Sequence, residues 1–306
     1  MTSSRLSSWS DCASRTAIVD FVERITRSGS SDFVPPADRI ATFDNDGTLW
    51  CERPLQVQFF FARSRLEQMA QADPSLRTRD PFKTFLAHDM RKIPPFAMAD
   101  LVHLAATVHS GTTVDEFGQL AHQWLASARH PTLSRLFTEL AYQPQIELLH
   151  FLRENGFKTF VVSGGGIDLM RACSETLYGV AREQVIGSSV KTRFEMHDGR
   201  GELVKLPEME SFNDREIKVN SISRHVGRRP ILAFGNSDGD LAMLRYTRTG
   251  EGPRLALLLH HDDAEREFAY DREFALSPLA DALDHADEYG LQVVGMKRDW
   301  ATVFAA

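Results

Sequence analysis

The chain has 306 residues, 42% hydrophobic and 25% charged, with a formal net charge of −7. That is enough apolar chain for a large buried core, and the acidic balance excludes a general pull toward nucleic acid or anionic membrane. Three scattered cysteines (Cys12, Cys51, Cys173) without ligand spacing read as reduced thiols. No leader-like segment and no run near the ~20 apolar residues of a spanning helix is visible, so the expectation is a soluble, cytoplasmic protein without nucleic-acid or membrane partners.

In chain order, Ile18, Phe21, Val22 and Ile25 recur at helical spacing, so residues 10–27 read as an amphipathic helix with Ser10 or Asp11 as N-cap. A loop rich in Gly, Ser and Pro follows, and Arg39–Phe43 then reads as a buried strand. From Pro54 to about Tyr142 the pattern is helical, with Thr113 and Glu116 forming a capping box and no strand signal. "PQIELLHFLRENG" predicts a helix closing on Gly156, followed by a strand "FKTFVVS", three glycines, a helix near 167–178 and a short strand "QVIGSSV". Residues 191–206 suggest a hairpin turning at Asp198–Gly199. A helix over 218–225, the strand "PILAFGN", a helix "DLAMLRY" and the strand "RLALLLH" complete the alternation. Apolar strands alternating with helices imply a parallel sheet covered on both faces, with ligands expected at the C-terminal strand ends.

The chemistry sits at those ends. Asp44 and Asp46 close the first strand. An EF-hand is excluded, because the glycine falls at the fourth position and Leu55 stands where the bidentate Glu belongs. A surface turn fits poorly between an apolar strand and Leu49–Trp50, so the pair reads as a site for metal or acid–base work. Ser163 with Gly164–Gly166 is either an anion cradle or a plain tight turn. Lys218 is a candidate cation, with Arg215 and Lys205 as competitors. Asn236, Asp238 and Asp240 are oxygen ligands suited to Mg²⁺, or a turn capping the next helix. His260 and His261 read as structural, and Phe59–Phe61 and Trp124 as helical core. Glu52 and Arg53 read as a substrate contact or a hinge pair.

In this order the four places resemble the haloacid dehalogenase-like (HAD) hydrolases, in particular their phosphoserine phosphatase-like branch. Asp44-Asn45-Asp46-Gly47-Thr48 matches DxDxT, Ser163-Gly164-Gly165 the second motif, Lys218 the third, and Gly235-Asn236-Ser237-Asp238-Gly239-Asp240 the last. The resemblance implies a Rossmann-like α/β core over 1–52 and 145–306, with an all-helical cap inserted at 53–144. It further implies a Mg²⁺-dependent phosphomonoesterase acting on a small phosphorylated metabolite through an aspartyl-phosphate. Asp44 would be nucleophile and Asp46 acid/base, with Thr48, Ser163, Gly164 and Lys218 on the phosphate and Asp44, Asp46, Asn236 and Asp240 on the metal. Asn236 departs from the pattern, where an aspartate is usual, and weaker metal affinity is expected from it. The competing reading that it motivates is a phospho-ligand-binding or regulatory module with little turnover.

Overall fold

The structure, a computed structural model, describes residues 6–93 and 96–305. The first five residues of the N-terminal stretch read above lie outside the described residues. Helix α1 (Ala13–Thr26) buries Ile18, Phe21, Val22 and Ile25, the predicted stripe. Its N-cap is Cys12 rather than Ser10 or Asp11, with Sγ accepting from the Arg15 amide at 3.4 Å. The cause is tertiary: the Ser10 amide bonds the Asp299 carbonyl, which holds that residue outside the helix.

Strand β1 (Ile40–Phe43) is buried throughout. Among the described residues five α-helices precede the next strand, the first four being α2 (Val57–Ala72), α3 (Phe82–Ala87), α4 (Met98–His109) and α5 (Val114–Leu125). The box at the start of α5 is closed in both directions between Thr113 and Glu116. Helix α6 (Gln143–Glu154) ends before Gly156, which takes φ +77°. Then come β2 (Lys158–Gly166), α7 (Ile167–Arg171), α8 (Ser174–Tyr178), β3 (Val185–His197), β4 (Arg200–Ser211), α9 (Glu216–His225), β5 (Leu232–Gly235), α10 (Leu241–Arg248), β6 (Leu255–Asp262), β7 (Ala269–Tyr270) and β8 (Gln292–Gly295).

The short strand and the first hairpin arm predicted separately are one strand. Its first residues run parallel to β2, from Val185 to Ser188, and the remainder antiparallel to β4, with the register shifting near Val190. Asp198 and Gly199 both take positive φ (49° and 80°), the backbone a two-residue hairpin with right-handed twist requires.

The sheet order is β4-β3-β2-β1-β5-β6-β7, with β8 also on β6. All pairings from β3 through β8 are parallel except the added β4 and β7. After β1 the chain steps outward to β2 and β3, then returns to β5 on the other side of β1. The crevice is therefore expected at the C-terminal ends of β1, β2 and β5. Alternate residues serve the two faces: Phe43, Val161 and Phe234 pack with α1 and α6, while Val162, Ala233 and Leu258 pack with α9 and α10. Among the described residues no helix is long and apolar enough to cross a membrane.

Over the crevice, Leu66, Phe82, Phe85, Leu104 and Val108 of α2–α4 form a core of their own, whereas Phe117, Ala121 and Leu125 of α5 join the main core. The β3–β4 hairpin braces this layer. Lys205 exchanges backbone bonds with Gly111 and Thr112 (3.2 and 2.9 Å), and its buried ammonium meets Asp168 at 2.5 Å.

Candidate active site

The Asp44 amide donates to the Phe234 carbonyl at 2.9 Å, so the β1–β5 pairing holds this acid at the sheet edge. The chain then doubles back: the Asn45 carbonyl accepts from the amides of Thr48, Leu49 and Trp50. Gly47 takes φ +75°, and a Cβ there would lie 2.2 Å from Asn236 Nδ2 and 2.4 Å from Glu52 Oε1. No other residue fits that turn. Buried His261, predicted as structural, places Nε2 2.7 Å from the Gly47 carbonyl and Nδ1 3.2 Å from Glu267, so it steadies the turn from behind.

One cation serves several acids. Lys218 Nζ donates to Asp44 Oδ1 and Asp240 Oδ1, each at 2.6 Å, in a site where all three side chains are buried. Burial alone would lower the lysine; Asp240 and Asp44 overcome it and hold the ammonium above its ordinary value. Asp44 is pushed up to about 8, by burial first and then by Asp240, against the pull of Lys218. Asp46 is pushed up to about 6 by burial, opposed by the Trp50 Nε1 bond to Oδ1 (2.8 Å) and by Lys218. Of the competing cations, Lys205 is committed to Asp168 and Arg215 lies 60% exposed beside Asp214.

Asn236 sits behind this centre. Its Oδ1 accepts from the Thr48 hydroxyl at 2.8 Å and its Nδ2 donates to Glu52 Oε1 at 2.9 Å. Glu52 is fully buried and also accepts from Tyr270 (3.0 Å) and Gln56 (3.2 Å). Burial, then Asp46 and Asp44, raise it well above the usual carboxylate range. Glu52 therefore forms no hinge pair with Arg53, whose guanidinium stacks on Phe274 at 4.6 Å. Thr48, expected among the phosphate contacts, is buried with its hydroxyl turned to Asn236. Asp240, expected on the metal, has Oδ1 on Lys218 and Oδ2 on the amides of Asn236 and Ser237 (3.0 and 3.1 Å). Asp238 caps the chain at Ala280–Ala282 through three backbone amides.

Strand β2 carries Ser163 at its crevice end and continues through Gly166. The Ser163 hydroxyl accepts from the Gly165 amide at 3.0 Å. A Cβ at Gly165 would stand 3.0 Å from Asp46 Oδ2 and 3.4 Å from Ser163 Oγ, so glycine leaves room between the acid and the hydroxyl. Two residues without a motif shape this edge. Asn213 Nδ2 donates to the Ser163 carbonyl, and the Ser188 hydroxyl to that of Gly164. From above, Gln58 of α2 accepts from the Gly166 amide at 3.1 Å.

These groups open into one cavity of about 240 Å³ lined by Asp44, Asp46, Ser163, Gly164 and Lys218 at its floor. Phe59 and Phe61, predicted as cap core, also form its upper wall. His109 lines it too, stacked on Phe117 with ring centroids 4.4 Å apart and its Nδ1 2.6 Å from the Ala105 carbonyl. Burial pushes His109 down to about 4. Since the folded value lies below the unfolded one of about 6.5, its stabilising contribution is complete above that pH and declines as pH falls toward 4. Between pH 7 and pH 5 this group alone takes away about 2 kcal/mol. Urea unfolding at the two pH values should show that much less acid sensitivity in His109→Phe than in wild type.

Oxygen donors dominate the floor. Lys218 bridges Asp44 and Asp240, and Asp44 is raised by burial first, then by the negative charge of Asp240 and, less, of Asp46. Among the described residues no three acidic, histidine or cysteine side chains converge as a ready-made cage. The floor's donors are carboxylate and amide oxygens, the chemistry of a hard cation rather than of zinc.

Residues 41–245, more than half of the chain, match the family described as haloacid dehalogenase-like hydrolase. No curated protein matches the sequence. Among solved structures, the chain is similar to a conserved protein of unknown function from Anaerococcus prevotii DSM 20548, at 16% identity and a TM-score of 0.56, covering 91% of this chain and 90% of that one. It is similar also to a protein of unknown function from Bordetella pertussis Tohama I, at 16% identity and a TM-score of 0.52, covering 84% and 97%. A phosphoserine phosphohydrolase-like protein from Francisella tularensis subsp. tularensis SCHU S4 aligns at 14% identity and a TM-score of 0.40, over 72% and 87%. At these identities the likeness concerns the fold alone.

Proposed function

The chain belongs to the haloacid dehalogenase-like hydrolases, and on that footing we propose that it is a Mg²⁺-dependent phosphomonoester hydrolase acting through Asp44. The observation that carries the reading is the convergence of Asp44, Asp46, Ser163, Gly164 and Lys218 on one cavity floor.

In the first step a carboxylate oxygen of Asp44 attacks phosphorus, the ester P–O bond breaks, and Asp46 passes its proton to the departing alkoxide. An acid poised near 6 suits that transfer. In the second step Asp46 takes a proton from water, the water oxygen bonds to phosphorus, and Asp44 leaves as carboxylate with inorganic phosphate released. The Trp50 bond to Oδ1 leaves Oδ2 of Asp46, the oxygen facing Gly165, for both transfers. Ser163, the Gly164 backbone and Lys218 hold phosphoryl oxygens, and Lys218 also orients Asp44. Asp240 acts on Lys218 rather than directly on substrate, because both of its oxygens are engaged. When bound beside Asp44, Asp46 and Asn236, Mg²⁺ would neutralise phosphoryl charge and offset the repulsion between the acids. Phosphate release from p-nitrophenyl phosphate, lost on adding EDTA and regained with Mg²⁺, tests the reading; absence of release in Mg²⁺ favours a ligand-binding module.

The Asn236–Glu52 bond adds a prediction. Asn236→Asp strengthens Mg²⁺ binding but sets a second acid against Glu52 and removes its donor. It should cost about 1–3 kcal/mol without metal. Glu52→Gln in the same chain restores a donor and should recover most of that loss. Urea unfolding in EDTA reads the stability, and calorimetric Mg²⁺ titration reads the affinity.

A further inference from the structure

The cavity differs at its two ends. The floor carries every charged group that faces the phosphate position, while the wall toward the helical layer is apolar, formed by Phe59, Phe61, Leu101, Val102, Ala105 and Val108. Among the described residues, α2, α3 and α4 contribute no Lys, Arg, Asp or Glu to the lining. His109, the titratable group they do contribute, is stacked on Phe117 and backed by the Ala105 carbonyl. Asp214 and Arg215 reach the rim, where they lie 3.8 Å from each other and Arg215 is 60% exposed. A charged or hydroxyl-rich group bound under this wall would lose water without finding partners. An apolar group would gain, within a cavity of about 240 Å³ that the phosphate floor and the apolar wall share.

We propose that the alcohol portion of the substrate is an uncharged, predominantly apolar group. The protein would then select phosphate esters of hydrophobic alcohols over phosphorylated amino acids, sugars and nucleotides. This rests on the phosphatase reading for its chemistry but not for its geometry. The floor takes the phosphoryl oxygens, and the apolar body stands under α2 and α4, with Val102 and Ala105 beside it. Away from the apolar wall, Gln56, Gln58, Ser188, Ser189, Ser237 and Ser277 supply uncharged polar side chains to the lining. Specificity of this kind is a difference in burial, so it grows with each methylene that leaves water.

The test uses unbranched alkylphosphonates, which bind without turning over, titrated calorimetrically into the full-length protein with Mg²⁺. The dissociation constant should fall about fourfold per added methylene, roughly two orders of magnitude from ethyl to hexyl. Hexylphosphonate should bind more tightly than O-phospho-L-serine or glucose 6-phosphate. Val102→Gln, at a partly exposed helical position, should weaken hexylphosphonate several-fold and leave ethylphosphonate unchanged. A flat series, no binding at all, or tighter binding of either polar phosphate overturns the proposal. A rising series with no hydrolysis of any phosphomonoester supports it while removing the hydrolase reading, so the two fail separately.

Discussion

Asp44→Asn lowers kcat for p-nitrophenyl phosphate by at least ~10⁴-fold, the scale on which a lost nucleophile removes covalent catalysis. The substitution keeps shape and volume, so folding is retained. Asp44 shares Lys218 with Asp240, and it is already pushed upward by burial and by that neighbour. A neutral amide there relieves repulsion and leaves Lys218 its second partner. The melting temperature should therefore stay close to wild type or rise while phosphate release disappears. Initial rates and a circular-dichroism melt on the same preparation check both halves.

Lys218→Met has the second large effect, on stability and on rate together. The ammonium is held between two buried acids at 2.6 Å from each. Removing it strands Asp240, fully buried, with Oδ1 unmatched. Breaking a buried pair in this way costs about 3–5 kcal/mol, and loss of the charge on the phosphoryl group costs kcat roughly 10²–10³-fold. Asp240→Asn added to Lys218→Met should recover most of the stability and none of the rate. Urea unfolding at pH 7 and phosphate release separate the two contributions. If the double variant regained turnover, the place of Lys218 beside the phosphate would be lost.

The parts legible in the sequence were those written in contiguous residues. The apolar runs before Asp44 and Asn236 each announce a strand end, whereas the glycines after Ser163, read as following the strand, continue β2 through Gly166; the structure sets these three stretches on neighbouring strands. The Thr113–Glu116 box and the Asp198–Gly199 turn were legible because three- or two-residue spacing determines them. What escaped depends on contacts across the chain. Glu52 reads as an ordinary polar residue until Asn236 and Tyr270, about 200 positions away, close around it. Asn213 and Ser188 have no motif, yet they hold the Ser163–Gly164 carbonyls. Cys12 became the cap of α1 because Asp299 claims the Ser10 amide. The unity of β3 was hidden because its two halves have different partners and therefore different burial patterns.

The central claim is that Asp44 carries the phosphoryl group between the two steps. Asp46→Asn slows the second step by removing its base, so the phosphorylated enzyme should accumulate. Acid quenching of this variant after mixing with p-nitrophenyl phosphate and Mg²⁺, followed by peptide mass spectrometry, should find the phosphoryl group on Asp44. Burst release of p-nitrophenol with an unmodified Asp44 peptide, or phosphate on any other residue, would contradict the account.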